Sequence, residues 1–143
     1  LVLEPAGSAP GLGDALAYLN RVQRKRAIVF LFSDFLDDGW ERALAVTQRR
    51  HDTVAFVVED PRERELPAAG RVRLEDLETG EPLWLDTGKA AVRERFRTIQ
   101  ASARERRDAI FKKLGLDTIR LETGQPFAKP LLAFFDARAR RVR

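Results

Sequence analysis

The sequence predicts a three-layer α/β fold with a Rossmann-like parallel sheet, because short apolar segments alternate with amphipathic helical ones. Two of the apolar segments, residues 27–33 and 53–58, are continuous, β-branched and aromatic, which is typical of strands buried on both faces of a parallel sheet. Helical periodicity precedes and follows each of them. Strands joined through helices form right-handed crossovers, which place helices on both faces of the sheet.

The remaining elements extend this pattern and add a β-hairpin. Alternating apolar and polar residues surround a turn at Thr79–Gly80, so a hairpin is inserted before the longest helix. Gly115 is expected to end that helix, whose apolar stripe comprises Val92, Phe96, Ile99, Ala103, Ile110 and Leu114. The predicted order is a helix over 11–26, a strand over 27–33, a helix over 39–50, a strand over 53–58, a hairpin over 71–86, a helix over 89–114, a strand over 118–121 and a helix over 126–138.

Composition limits the chemistry that the chain can perform. Its 143 residues are 44% apolar and 34% charged, as in one folded domain spanning 1–143. The absence of Cys excludes thiolate chemistry, and the single His, His51, excludes a two-His metal site. No apolar run approaches the roughly 20 residues of a membrane span, so we predict a cytoplasmic protein. The absence of Met predicts that the native protein extends upstream of Leu1.

Charge is distributed unevenly along the chain. Residues 1–88 carry a net charge of −5 and residues 89–143 a net charge of +9. A basic second half can meet nucleic acid, anionic lipid or an acidic partner. We favour a solvated helix face, and we do not expect nucleic acid as the partner because interleaved aromatic residues are lacking. The arginines of that face are Arg93, Arg95, Arg97, Arg104, Arg106 and Arg107.

An acidic loop, Ser33-Asp34-Phe35-Leu36-Asp37-Asp38, directly follows the first predicted strand. Ligands of open α/β sheets bind at the carboxyl ends of strands, and carboxylates there suit a hard ion such as Mg²⁺. The alternative for Asp34 is a loop residue that accepts backbone N–H bonds. Asp37 and Asp38 precede a helix, where the alternative is stabilisation by the helix dipole.

Four segments carry a resemblance to a known family: YLNRVQRKRAIVFLFSDFLDDGWERAL (18–44), RRHDTVAFVVEDPRERELP (49–67), VRLEDLETGE and PLLAFFDARARR. Together they resemble the bacterial family called domain of unknown function 58, over essentially the whole chain. That family is similar to von Willebrand factor A domains and is linked with MoxR-type AAA+ ATPases, which are implicated in assembly or metal insertion. The resemblance implies the C-terminal half of a von Willebrand factor A-like domain.

The resemblance also implies a divalent-metal site. In von Willebrand factor A domains this site combines an Asp-x-Ser-x-Ser motif, a Thr and a later Asp. Ser33 and Asp34 match the third element, and the first would lie upstream of Leu1. Pro10-Gly11 stands where the Thr is expected and offers no side-chain oxygen. We therefore expect no cofactor bound by this segment alone, and Mg²⁺ only in a longer protein.

The function predicted from these observations is protein–protein interaction without catalysis and without a small-molecule substrate. The partner is expected to be an AAA+ ATPase, which the chain would serve as an adaptor or assembly factor. The expected partner-binding residues are Asp37, Asp38, Asp60, Arg62 and Glu63.

Two alternatives remain open at this point. One is a metal-dependent hydrolase that uses the Ser33–Asp38 loop, and the other is a nucleic-acid binder through the basic second half. We also expect self-association, because the strand carrying Asp-x-Ser-x-Ser would lie beside residues 27–33. Without that strand, an apolar edge is bare and can pair with another chain.

Overall fold

The computed structural model describes residues 11–36, 38–75 and 82–141. The described residues form two compact units. The first, here the sheet unit, comprises residues 11–60 and 106–141. The second, here the hairpin unit, comprises the described residues between 61 and 105. The mixed α/β architecture, with a parallel sheet and a separate antiparallel pair, confirms the predicted fold class.

The predicted order of helices and strands is confirmed, and the differences lie at the element ends. The first helix ends four residues earlier than expected, because Gln23 is extended and caps the helix with its backbone N–H. In the part of the chain that is described, the elements are α1 (Leu12–Val22), β1 (Ile28–Ser33), α2 (Glu41–Arg50), β2 (Asp52–Glu59), a 3₁₀ turn (Pro61–Glu63), β3 (Arg71–Glu75), β4 (Pro82–Asp86), α3 (Ala90–Leu114), β5 (Asp117–Glu122) and α4 (Ala128–Arg141).

The sheet unit contains a parallel sheet in the order β1-β2-β5. Helices α1 and α2 and the last turns of α3 cover one face, where the buried side chains are Leu16, Leu31, Phe35, Trp40, Leu44, Ala55, Val57, Phe111 and Leu116. On the other face α4 packs Leu131 and Phe134 against Val54, Phe56 and Ile119. Because helices lie on both faces of the sheet, the unit has three layers.

The prediction that both strands are buried on both faces is confirmed for β2 and is wrong for β1. Residues 53–57 of β2 are all buried. In β1 only Leu31 is buried, and alternate side chains on the other face are exposed. The reason is that β2 lies between two strands, whereas the described residues place β1 at the edge of the sheet.

The buried stripes of α3 and α4 differ from the predicted ones. In α3, Ile99 is exposed, and the buried residues are Arg107 and Phe111. In α4 the apolar pattern predicts packing through Leu131, Leu132 and Phe135. Leu131 faces the sheet together with Phe134, whereas Leu132 and Phe135 are exposed. The prediction counted apolar side chains alone and therefore left out Arg107, although Ile110 and Leu114 of the predicted stripe do pack against the core.

Arg138 of α4 joins the amino ends of two strands. Its guanidinium donates to the carboxylate of Asp52, at the start of β2, and to Asp117 Oδ2, at the start of β5, over 2.9 Å. One side chain from the covering helix thus connects both strand beginnings through charge-assisted hydrogen bonds, which are stronger than neutral ones.

The hairpin unit contains the antiparallel pair that the sequence predicts. Strands β3 and β4 pair with Val72 opposite Leu85, and the predicted turn at Thr79–Gly80 lies outside the described residues. The hydroxyl of Thr87, which is fully buried, donates to Gly70 O over 2.9 Å and accepts the Ala69 N–H. These contacts close the base of the hairpin. Among the helices described, including the 25-residue α3, none has the length and apolar character of a membrane span.

Candidate functional site

The carboxyl ends of the parallel strands bring the predicted acidic loop next to the end of β2. Ser33 is in register with Val57, so Asp34 follows β1 at the same edge at which Glu59 ends β2. The Thr123 N–H, just after β5, donates to Glu59 O over 3.0 Å. Asp34 is exposed at this edge. We call this region the carboxyl edge.

Ser33 and Asp34 form a local turn through their side chains. The Phe35 N–H donates to Ser33 Oγ over 3.0 Å, and the Leu36 N–H donates to Asp34 Oδ1 over 3.1 Å. The Ser33 hydroxyl lies 3.5 Å from the same Oδ1 atom. These bonds match the alternative in which Asp34 accepts backbone N–H groups, and they fix the direction of its carboxylate.

Phe35 anchors the loop in the core. Its backbone has a φ of 57°, which is rare for a bulky residue and carries strain of about 1–3 kcal/mol. The ring is buried in edge-to-face contact with Phe111, at 4.9 Å between centroids, and with Trp40, at 5.4 Å. Burial of the ring therefore holds the loop in a conformation that the backbone alone would avoid.

Arg107 supplies a buried positive charge beneath the carboxyl edge. It is only 3% exposed, and its Nη2 donates to Glu59 Oε1 over 2.7 Å. Nη1 donates to the Asp34 carbonyl over 3.3 Å, and Nε to Asp108 over 3.2 Å. The expectation that Arg107 lies on a solvated arginine face is therefore wrong. The sequence signal is its position one turn before Phe111, on the buried side of the helix.

Arg120 of β5 completes an ion-pair network with Arg107. It donates to Glu59 Oε1 over 3.2 Å and to Asp108 Oδ2 over 2.6 Å. The Glu59 side chain is 12% exposed and receives both guanidinium groups. A nearly buried carboxylate is costly unless it is paired and hydrogen-bonded, so the two arginines make the position of Glu59 possible.

The residues described at this edge do not fit the implied Mg²⁺ site by themselves. Ser33 Oγ and Asp34 Oδ1 each accept a backbone N–H, and Glu59 is neutralised by guanidinium groups. No group of three or more acidic or imidazole side chains in the described ranges is arranged to hold a metal ion. Mg²⁺ binding by a longer protein stays a prediction, and no step proposed below depends on it.

Asp38 lies at the outer end of the loop, before α2. Its carboxylate is highly exposed and lies 3.5 Å from Arg106 Nη1. Arg106 also donates to Glu41 Oε1, in the first turn of α2, over 2.6 Å. Asp37, the remaining acid of this loop, lies outside the described residues.

The other predicted partner-binding residues fall at the end of β2 and beyond it. Asp60, directly after β2, is half-buried in the sheet unit. Arg62 and Glu63 are exposed in the 3₁₀ turn, which belongs to the hairpin unit. Their participation in one surface with Asp34 stays a prediction.

A shallow cleft between α1 and α2 adjoins the loop. Its floor is formed by small side chains because the helices approach closely: a Cβ added at Gly13 would lie 3.1 Å from Gly39 O. The charged residues Asp14, Asp38 and Arg42 line the cleft, together with Gly11, Gly13, Ala17, Asn20, Gly39, Ala43 and Val46. It is open enough to admit a peptide segment or side chain from a partner.

The pKa of Glu41 lies below its ordinary value of 4.5 because its carboxylate bonds to its own backbone N–H. Partial burial opposes this effect, and Arg106 adds to it. A lowered folded-state pKa gives stability that is present above the ordinary value and is lost as the pH falls through the folded value. We expect Glu41→Gln to lower the thermal midpoint near neutral pH and to change it little in acid. A difference from wild type that does not vary with pH would contradict this.

His51, the single imidazole of the chain, lies at the other end of the sheet. It caps the C-terminus of α2, where its backbone N–H donates to Thr47 O over 2.8 Å, and its side chain is buried. It immediately precedes β2, whereas Ser33 ends β1 at the carboxyl edge. The fold therefore separates the imidazole from the loop hydroxyl, and the two do not form a nucleophile–base pair.

Most arginines of the predicted basic face bond within the protein. Arg93 donates to Thr87 O and Gly88 O, and Arg97 pairs with Glu65 and Glu94. Arg104 donates to Gln100 O. With Arg106 and Arg107, five of the six predicted arginines therefore have internal partners, which leaves fewer guanidinium groups to neutralise phosphates.

Comparison with known proteins establishes the family. The family described as "Protein of unknown function DUF58" matches residues 1–106. The chain belongs to this family. Proteins similar to it include Uncharacterized protein MAV169 of Mycobacterium avium, which is 32% identical over 137 residues, covering 95% of this chain and 80% of the relative. Uncharacterized protein Rv1480 of Mycobacterium tuberculosis is 31% identical over 137 residues, covering 95% of this chain and 43% of the relative.

The chain thus spans most of the length of one relative and less than half of the length of the other. No solved structure matches it. Family membership confirms the resemblance drawn from the sequence. The likeness of the family to von Willebrand factor A domains, and its link with MoxR-type ATPases, stay predictions.

Proposed function

We propose that this DUF58 chain is a protein–protein interaction module, an adaptor or assembly factor that works with a MoxR-type AAA+ ATPase. The observation that carries the proposal is a carboxyl edge at which residues 33–36 are anchored to the core and yet present an exposed carboxylate. Phe35 and Arg107 fix the loop from below, while Asp34 remains exposed. A segment anchored by such contacts has less conformational entropy to lose on binding, which favours recognition of a protein partner.

The charges of the edge suit an interface better than a reaction centre. Asp34 and Asp38 are exposed and can accept hydrogen bonds from arginine or lysine of a partner. Such pairs contribute specificity and association rate. A partner residue can pack into the adjoining cleft between α1 and α2, against its small side chains. Glu59, by contrast, is engaged by two arginines and is not free to transfer a proton.

Binding of the MoxR-type ATPase from the same organism tests this proposal, measured by titration calorimetry. The double variant Asp34→Asn and Asp38→Asn removes two charges, and an asparagine oxygen at position 34 can still accept the Leu36 N–H. We expect the dissociation constant to rise by about tenfold or more, equivalent to about 1.4 kcal/mol.

The matched control is the double variant Glu65→Gln and Glu94→Gln. It removes two exposed carboxylates that pair with Arg97 within the hairpin unit, and we expect binding within about twofold of wild type, because neither side chain belongs to the carboxyl edge or the adjoining cleft. Absence of wild-type binding, or equal loss in both double variants, would overturn the proposal.

A further inference from the structure

Helices α1 to α4 all end beside the first residues of the parallel strands. Helices α1, α2 and α3 each lead into the next strand of the sheet through a short connection, so their C-termini lie at the amino ends of the strands. Arg50, at the end of α2, donates to Asn20 O of α1, and Gln48 donates to Gly115 O after α3. Arg138 brings the last turns of α4 to the starts of β2 and β5. The four helix ends therefore form one continuous surface of the sheet unit.

This surface, here the basic end, carries a high density of positive charge. Cations occupy the last turns of the helices and the connection from α1 to β1. The exposed cations are Arg21, Arg24, Lys25, Arg26, Arg49, Arg50, Lys112, Lys113 and Arg140. The acids described near them are Asp52 and Asp117, which bind Arg138, and Asp136 of α4. Positive charge therefore exceeds negative charge by a wide margin.

The cations of the basic end are not neutralised by carboxylates in the part of the chain that is described. At the carboxyl edge, by contrast, two guanidinium groups pair with Glu59. The contacts described for the exposed cations of the basic end are with neutral groups, as when Arg50 donates to Asn20 O. Helix dipoles favour cations in the last turns, but residues 24–26 lie beyond the end of α1. Unneutralised like charge lowers stability and attracts an anionic partner.

Exposed apolar side chains accompany these cations on α1. Tyr18 and Val22 are 58% and 52% exposed, and they lie one turn apart on the same side of the helix. The guanidinium carbon of Arg21 lies 5.3 Å from the centroid of the Tyr18 ring. Tyrosine is enriched at the membrane–water interface, where its ring sits at the level of the headgroups, and clusters of basic residues bind anionic headgroups. This combination favours a lipid surface as the partner.

The backbone of the basic end also favours a lipid surface over a fixed phosphate group. Helix C-termini present carbonyl oxygens and the negative end of the dipole, whereas phosphate sites in proteins use helix N-termini and their N–H groups. The attraction must therefore come from the side chains alone. Long, flexible cations suit anionic headgroups, which can rearrange around them, better than the regularly spaced phosphates of a duplex.

We propose that the basic end of the sheet unit binds the surface of a membrane that contains anionic lipid, with Tyr18 and Val22 at the level of the headgroups. The strands run from this surface to the carboxyl edge, and the eight residues of β2 span roughly 26 Å. That length is about three Debye lengths at physiological salt, so the acidic carboxyl edge is screened from the lipid charge.

Lipid binding does not rest on the proposed function, because the two activities use opposite ends of the strands. A chain bound to lipid through its basic end keeps Asp34 and Asp38 accessible to a protein partner. Vesicle binding and ATPase binding are therefore measured separately and can fail separately.

Cosedimentation of the 143-residue chain with sucrose-loaded vesicles tests the proposal. We expect binding to vesicles of equal parts phosphatidylcholine and phosphatidylglycerol, and binding weaker by about tenfold or more to phosphatidylcholine alone. The double variant Arg24→Gln and Arg49→Gln removes one charge from each of two helix ends. Its partition constant on the anionic vesicles should fall about tenfold or more, because each cation near the surface adds to the attraction.

The matched control is the double variant Arg42→Gln and Arg106→Gln. It removes the same charge from the start of α2 and from the carboxyl edge, so partitioning should stay within about twofold of wild type. Tyr18→Ser keeps every charge and should lower partitioning about threefold or more, because the ring no longer enters the interface. Far-ultraviolet circular dichroism verifies that each variant is folded.

Three results would overturn the proposal. Wild type that binds a duplex DNA oligonucleotide but not the anionic vesicles would assign the cations to nucleic acid. Wild type that binds neither would leave the basic end without the inferred partner. Equal losses in the two double variants would show that the net charge of the chain, and not the basic end, governs its binding to lipid.

Discussion

Replacement of Arg107 by alanine is expected to lower the free energy of unfolding by about 3 kcal/mol, near the lower end of the range for breaking a buried ion pair. The variant removes the shorter of two guanidinium contacts described for the nearly buried Glu59 carboxylate, and it deprives the Asp34 carbonyl of a donor. Since domains of this size are stable by only about 5–15 kcal/mol, the loss is large. Urea denaturation followed by circular dichroism measures it.

Two further variants distinguish the effect of burial on the free energy of unfolding from the effect of charge. Arg120→Ala removes a half-exposed guanidinium from the same carboxylate and should cost about 1 kcal/mol or less, as for surface ion pairs. The double variant Arg107→Met and Glu59→Gln removes both charges and should recover part of the stability, because no uncompensated charge stays buried. An Arg107→Ala variant as stable as Arg120→Ala would contradict the buried network.

Truncation of Phe111 to alanine should cost about 3–5 kcal/mol, the usual range for a buried phenylalanine. The ring contacts Phe35 at 4.9 Å and Trp40 at 5.8 Å between centroids, so its loss opens a cavity beneath the acidic loop. Phe35 would then lose the packing that compensates its left-handed backbone. We therefore expect both a lower unfolding midpoint in urea and a change in the fluorescence of Trp40 in the folded state.

Phe127→Ala is the matched truncation, because Phe127 is exposed. It should change stability by about 0.5 kcal/mol or less and leave the tryptophan emission unaltered. If the Phe111 variant unfolded at the same urea concentration as the Phe127 variant, the ring contacts of Phe111 would not stabilise the acidic loop.

The strands were predictable because each is a short apolar run between helical segments. β2 shows this most clearly, since Val54, Ala55, Phe56 and Val57 are all buried. The same pattern could not reveal that β1 lies at an edge of the described sheet. Burial depends on neighbouring strands, whereas an apolar run reports only the preference of its own side chains.

The candidate site was predictable in part. Strand order placed Ser33 and Asp34 at the carboxyl edge, where the structure has them. The role of Arg107 was missed because a basic residue on a helix is normally solvent-exposed, although its position one turn before Phe111 indicates the buried side of α3. Nor did the sequence indicate the left-handed backbone of Phe35, since the packing of its ring, and not its residue type, selects that conformation.

The hydrogen bonds by which Arg138 joins the amino ends of β2 and β5 affect the accuracy of folding. A parallel strand that slips by one residue turns its apolar side chains to the wrong face, but a slip by two residues preserves the alternation and is harder to reject. A two-residue slip of β5 toward the carboxyl end of β2 would place Asp117 opposite Phe56 instead of Val54 and move it about 7 Å further from Asp52 along the strand, beyond the reach of one guanidinium. Arg138 therefore disfavours this slipped pairing of β5 with β2, which hydrophobic burial alone would accept.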